Sequence, residues 1–233
     1  MNLCYVCGRG FKMPVPISLK LQSDFTSYFQ TNVMREISKK LDKSALKINA
    51  AVKKRIQDTV REMLILAPEV MDLIGGSLQG QLGVTNPHGR LTAIVDTWVE
   101  SIQVSTVVYS GAKKAGPLLA IQVGILREGY GDVLSLPESS YESVGARGVF
   151  LIEWLKWLLL EGDKTIVDYT FLPGNRRGSR TGLGIMIQRT GRKWSIPPQF
   201  RGTENDNFAT RALSKLDKAI DLIVQAEMTR ILK

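Results

Sequence analysis

Cys4 and Cys7 form a CxxC, a spacing that can supply half of a zinc site or a redox disulfide. Zinc needs about four ligands, and the sequence has only one histidine, His88, to add. A redox CxxC opens a helix beside a strand, and the flanks in LCYVCGRG carry neither pattern. The two cysteines are therefore expected to be free thiols, with no metal and no cofactor. Any Ser-His-Asp or Cys-His arrangement would also need His88, which sits in NPHGR with no nucleophile motif nearby. GxSxG, HExxH and DxDxDG do not occur. The carboxylates are scattered: a nuclease would have to use Asp96, Glu100 and Asp163, and a solvated turn explains Glu161 and Asp163 on either side of Gly162. The expectation is a protein that is not an enzyme.

The stretch GNRRGSRTGLGIMI, residues 174–187, holds four glycines and three arginines, as a phosphate loop would. A Walker loop, however, needs GxxxxGK[ST], and Gly178 is followed by Ser179 and Arg180. GxGxxG fails as well, because Gly182 and Gly184 are followed by Ile187 where the third glycine belongs. Both motifs place a helix N-terminus after the glycines, and LGIMI has the composition of a strand. The glycines then mark the tip of a hairpin that carries arginines outward. Guanidinium forks bind phosphates or carboxylates. Residues 174–201 contain seven basic side chains and no acidic one. The candidate interface residues are Arg176, Arg177, Arg180, Arg189, Arg192, Lys193, Trp194 and Arg201.

The elements that must hold this hairpin read as α+β: N-terminal helices, a central antiparallel β-sheet with hairpins, and a long C-terminal helix. Residues 1–22, with prolines and no helical period, read as an extended arm. Residues 23–87 read as helical. Apolar residues from Phe25 to Leu41 and again from Val52 to Ala67 predict two helices meeting near Ser44, and Pro68 opens a third ending at Gly75-Gly76. Residues 77–89 are glycine-rich and are expected to break the helices. Residues 88–233 form the remaining domain. Its opening helix, HGRLTAIVDTWVESI, buries Leu91, Ile94, Val95, Trp98 and Ile102, and residues 102–110 and 117–128 pair as strands. Residues 129–147 read as an acidic loop and 149–163 as a buried helix. Strands at 165–172 and 183–189 flank the basic loop, and a last helix starts near Asp206.

Composition sets the class of partner. The chain has 233 residues and a formal net charge of +9, and the charge is segregated. Arg35–Glu62 has nine basic residues against four acidic, whereas Glu128–Ala146 has four acidic and no basic. Such segregation suits an anionic partner, or copies of the chain meeting basic face to acidic face. The most apolar segment is too short for a bilayer, which takes about 20 residues, and the N-terminus lacks the order of a signal peptide. A soluble protein made in a reducing cytoplasm is expected, with no membrane contact.

Two stretches carry a family resemblance. HGRLTAIVDTWVESIQV resembles the Gly-Arg-Leu helix leading into a strand in neck, head–tail connector and tail-completion (tail terminator-like) proteins of tailed bacteriophages. LIEWLKWLLLEGDKTIVDY, SRTGLGIMI and WSIPPQFRGTENDNFATRAL, in that order, are similar to the hydrophobic helix, Ser-Arg hairpin, Pro-Pro segment and C-terminal helix of such virion proteins. The resemblance spans residues 88–233. It implies a structural virion protein at the head–tail joint, assembled with itself in a ring, a homohexamer. Its neighbours would be neck, connector, tail-tube or sheath proteins, with the basic loop reaching a neighbour or the DNA in the channel. It carries no catalytic residues. The alternative is a cytoplasmic nucleic-acid-binding protein that uses the basic 174–201 patch and the basic helix near residues 35–61.

Overall fold

Between Ser27 and Ile65 the sequence contains neither glycine nor proline, and the chain runs through as one helix, α1 (Ser27–Ile65). A computed structural model describes residues 2–3, 13–18, 27–108, 119–125, 130–145 and 148–232. Cys4 and Cys7 lie outside the described residues, as does the turn between the strands near residues 109–118. The two helices expected to meet near Ser44 are one, because Ser44 alone offers the backbone no reason to stop. Ile48, Val52, Ile56, Val60 and Leu64 are all fully buried and recur every fourth residue. At about 100° per residue each step advances the stripe by about 40°, so the buried side winds around the helix.

Pro68 opens α2 (Pro68–Gly75) as expected. The glycine-rich stretch after it does not end the helices. Gly76 turns the chain directly into α3 (Ser77–Leu82), which stops at Gly83, whose φ of +63° suits glycine. Pro87 then opens α4 (Pro87–Ser101), with Leu91, Ile94, Val95 and Trp98 buried on one side.

Strands β3 (Gln103–Val108) and β4 (Leu119–Gly124) pair antiparallel, Gln103 facing Gly124. The arm expected at residues 1–22 contributes β1 (Asn2–Leu3) and β2 (Met13–Ser18), and the sheet runs β1-β2-β4-β3. Because β1 meets only Ile17 and Ser18, β2 is an edge strand at Pro14 and Pro16 among the described residues. An edge tolerates proline's missing N–H.

Residues 129–147 are not simply a loop, and 149–163 are not one helix. Within them lie α5 (Gly131–Leu134), a 3-10 turn at Pro137–Ser139, the hairpin of β5 (Tyr141–Gly145) with β6 (Gly148–Ile152), and a six-residue α6 (Trp154–Leu159). In β6 Val149 and Leu151 are exposed while Ile152 is buried, a strand's alternation hidden inside an apolar run. The hairpin around the basic loop is β7 (Ile166–Pro173) and β8 (Gly184–Trp194). The chain ends with α7 (Phe208–Ala212), a 3-10 turn at Leu213–Lys215 and α8 (Leu216–Leu232).

The fold is α+β: a long N-terminal helix, antiparallel hairpin sheets and a C-terminal helix. It divides into two compact units built from non-contiguous segments, whereas the sequence divides serially at 22/23 and 87/88. One unit comprises Met1–Thr59, Ser101–Leu126 and Lys215–Lys233, and buries Ile48, Val52, Ile56, Ile121 and Val224. The other comprises Val60–Glu100 and Arg127–Ser214. Its core centres on Trp98, whose ring lies 6.1 Å from that of Tyr130 and 5.8 Å from that of Phe208. The basic hairpin belongs to this second unit.

Candidate functional site

The β7–β8 ribbon starts from alternating apolar side chains and ends in glycines. Pairing runs from Pro173 opposite Gly184 to Tyr169 opposite Gln188. It resumes with Val167 opposite Lys193 and Ile166 opposite Trp194. Asp168 alone on β7 thus faces Arg189, Thr190, Gly191 and Arg192 on β8, so β8 bulges outward, with Gly191 at φ +76°. At the tip Gly174, Gly178 and Gly182 take φ values of +97°, +90° and +77°, as a tight tip between two strands demands.

Ser179 organises that tip. Its Oγ donates to the carbonyl of Gly184 at 2.6 Å and accepts from the N–H of Gly182 at 2.9 Å. The N–H of Gly174 donates to the Leu183 carbonyl at 2.8 Å, closing the ribbon, and Arg176 Nε donates to the Pro173 carbonyl at 3.2 Å. These bonds lie wholly within the ribbon, so the tip's shape does not depend on a partner's contacts. Helix α3 seats one face of the ribbon: a Cβ on Gly80 would come within 2.8 Å of Leu183 Cβ and 3.3 Å of Phe171 Cζ.

The eight candidate residues separate into two groups. Arg180, Trp194 and Arg201 are engaged within the fold. The Arg180 guanidinium stacks 4.2 Å above the Tyr141 ring and donates to the Glu142 carbonyl at 3.0 Å, tying the tip to β5. Trp194 is half-buried with its ring 6.4 Å from that of Trp157. Arg201 donates to the Ile196 carbonyl at 3.0 Å and to Ser195 Oγ at 3.2 Å. Arg176, Arg177, Arg189, Arg192 and Lys193 are exposed, and none of them forms an ion pair with a carboxylate whose side chain is described. Two and three of them make two basic knuckles, one at the tip and one at the bulge.

Sequence reasoning missed the residues that hold this unit together. Arg90 donates to the carbonyls of Thr85 at 3.2 Å and of Glu138 and Ser140 at 3.0 Å each, fixing the turn before β5. Glu69, almost wholly buried, accepts from Arg211 Nε at 3.1 Å, and Arg211 also reaches Asp206 at 2.8 Å. The Tyr141 hydroxyl donates to the Leu82 carbonyl, and burial pushes it up to about 12, with Arg180 and Arg90 pulling the other way.

The candidate catalytic residues do not converge. Asp96 is paired with Arg61 at 2.8 Å, while Glu100 and Asp163 are exposed. Among the described residues no three His, Cys, Asp or Glu side chains are grouped to hold a metal ion. His88 is exposed at the start of α4, its carbonyl accepting from Thr92 Oγ1 at 2.8 Å. No helix among the described residues is long and apolar enough to cross a membrane. No family model, no curated protein and no solved structure matches the chain.

Proposed function

We propose that the chain is a structural subunit of a tailed-phage virion, forming a ring of identical copies at the head–tail joint, with the β7–β8 ribbon as its contact element. One observation carries the contact role. Five exposed cations stand on a tip whose backbone is fixed by internal hydrogen bonds and at the bulge beyond it, and no carboxylate whose side chain is described pairs with them. Arginine's planar fork, carried on a backbone already ordered at the tip, loses less freedom on meeting an anionic surface than one on an unfixed loop. The ring and its place in the virion rest on the resemblance of residues 88–233 to neck and tail-completion proteins.

The test is the mass and shape of the purified protein, by light scattering and negative-stain electron microscopy, with and without tail tubes. Closed rings of several copies, or stoichiometric capping of tubes, are expected. A protein that stays monomeric at every concentration and caps nothing would overturn the reading. A monomer that binds nucleic acid through the same cations would establish the cytoplasmic nucleic-acid-binding alternative instead.

A further inference from the structure

We infer that the two basic knuckles of the β7–β8 ribbon grip the phosphate backbone of double-stranded DNA on the two lips of one major groove. The inference rests on the ribbon being the contact element proposed above and names its partner; it does not depend on the ring.

The spacing of the knuckles comes from the register. Arg176 and Arg177 lie in the tip before Gly184, Arg189 and Arg192 lie in the bulge after Gln188, and Lys193 is the first paired residue beyond it. Along β8, Gly184 at the base of the tip and Arg189 at the start of the bulge are five steps apart, about 16 Å at about 3.3 Å each. The major groove of B-form DNA is about 12 Å wide with a line of phosphates on each lip, and it accommodates a two-stranded ribbon. A-form RNA has a deep, narrow major groove that does not. Between the knuckles, Ile185, Met186 and Ile187 offer no hydrogen-bonding side chain and polar residues are few, Thr170 and Gln188 among them, so the five cations position the ribbon on phosphates. With α3 against one face of the ribbon, its exposed cations have only the other face and the edges to project from.

Charge favours a polyphosphate over a protein carboxylate surface supplied by another copy. Glu69, Asp96, Glu153, Glu161 and Asp206 of the same unit already face cations of that unit. With a net charge of +9 per copy, identical subunits meeting basic face to acidic face still leave a cationic surplus for a polyanion to neutralise. DNA carries a charge every ~1.7 Å of its axis and releases counterions when cations bind it.

The experiment measures binding of the full chain to a fluorescent 20-base-pair duplex between 50 and 200 mM salt, by anisotropy. Each phosphate contact steepens the logarithmic salt dependence by about 0.9. R176S/R177S should make the slope shallower by about 1.8, and R189S/R192S/K193S by about 2.7. The salt-induced weakening then shrinks by about 12-fold and about 40-fold respectively, equally on duplexes of unrelated sequence. An RNA duplex should bind more weakly than DNA. Slopes unchanged in both variants, or polyglutamate binding as tightly as the duplex, would overturn the inference, the second in favour of an acidic protein partner. Light scattering on the same samples separates the two readings. Rings that ignore DNA sink this inference alone, and DNA-binding monomers sink the ring alone.

Discussion

Asn207 and Tyr141 show what single residues do here. Asn207 is fully buried; its Oδ1 accepts from the N–H groups of Ala209 and Thr210, and its Nδ2 donates to Tyr130 Oη and the Thr203 carbonyl, both at 2.9 Å. The Asn-x-x-Thr spacing that caps α7 is legible in the sequence, since Thr210 returns the bond to the Asn207 N–H. The contact to Tyr130 is not, because it joins residues far apart in the chain. Tyr141 yields a pH prediction. Its folded hydroxyl titrates at about 12 against an ordinary value of 10.0, so the folded state holds the proton more tightly than the unfolded chain. That stabilisation is fully present below pH 10 and is lost as pH rises from about 10 to about 12. Two units correspond to roughly 2–3 kcal/mol. Urea denaturation of the protein and of Tyr141→Phe across pH 9–12 should show the difference between them shrinking through that window. A difference constant with pH would remove Tyr141 as the source. At neutral pH the variant should be weaker by about 1 kcal/mol, the ordinary net worth of its bond to the Leu82 carbonyl.

At the scale of elements, those with punctuation were legible: α2 and α4 behind Pro68 and Pro87, the β3–β4 pair, and the β7–β8 hairpin with glycines at its tip. What stayed hidden depends on partners. The run VFLIEWLKWLL carries no period because both faces of β6 are apolar, with Val149 63% and Leu151 56% exposed. Register across the ribbon is a property of two strands, so the bulge at Arg189–Arg192 cannot be read from β8 alone. Nor does the spacing of Arg180 or Arg201 say whether a guanidinium meets solvent or, as here, Tyr141 and Ile196. The seat of the ribbon on α3 gives a prediction. Gly80→Ala puts a methyl within 2.8 Å of Leu183 Cβ, which is not a flexible side-chain end, so helix and ribbon must part. The variant should lose about 1–3 kcal/mol to overpacking, despite the roughly 1 kcal/mol that alanine gains over glycine within a helix. Gly131→Ala, where a Cβ meets open space, should be neutral or slightly stabilising. Denaturation curves of the two variants should move in opposite directions or differ by more than about 1 kcal/mol; equal curves would mean that α3 does not seat the ribbon closely.

For the whole molecule, charge opposes the assembly that the proposed function requires. Each copy brings 31 basic and 22 acidic side chains, and copies carrying +9 repel one another. Screening shortens the reach of that repulsion from about 10 Å at 0.1 M salt to about 3 Å at 1 M. Contacts between copies that rest on apolar side chains are not weakened by salt, and Leu66, Met71, Val149 and Leu151 are more than half exposed. A basic-to-acidic interface would behave in the opposite way, since salt screens its attraction as well. Asp96 and Asp206 face Arg61 and Arg211 within their own unit, so the acidic side of such an interface falls to the 128–146 segment, with Asp132, Glu138 and Glu142. With apolar contacts between copies, the assembled fraction should therefore rise between 0.05 and 0.5 M salt, measured by sedimentation velocity at constant protein concentration. Double-stranded DNA added at the lowest salt should raise it as well, by neutralising the same cations without screening the rest of the surface. Rings that dissolve as salt rises would instead assign the contact between copies to charge pairing, and would return the exposed arginines of the ribbon to a protein partner.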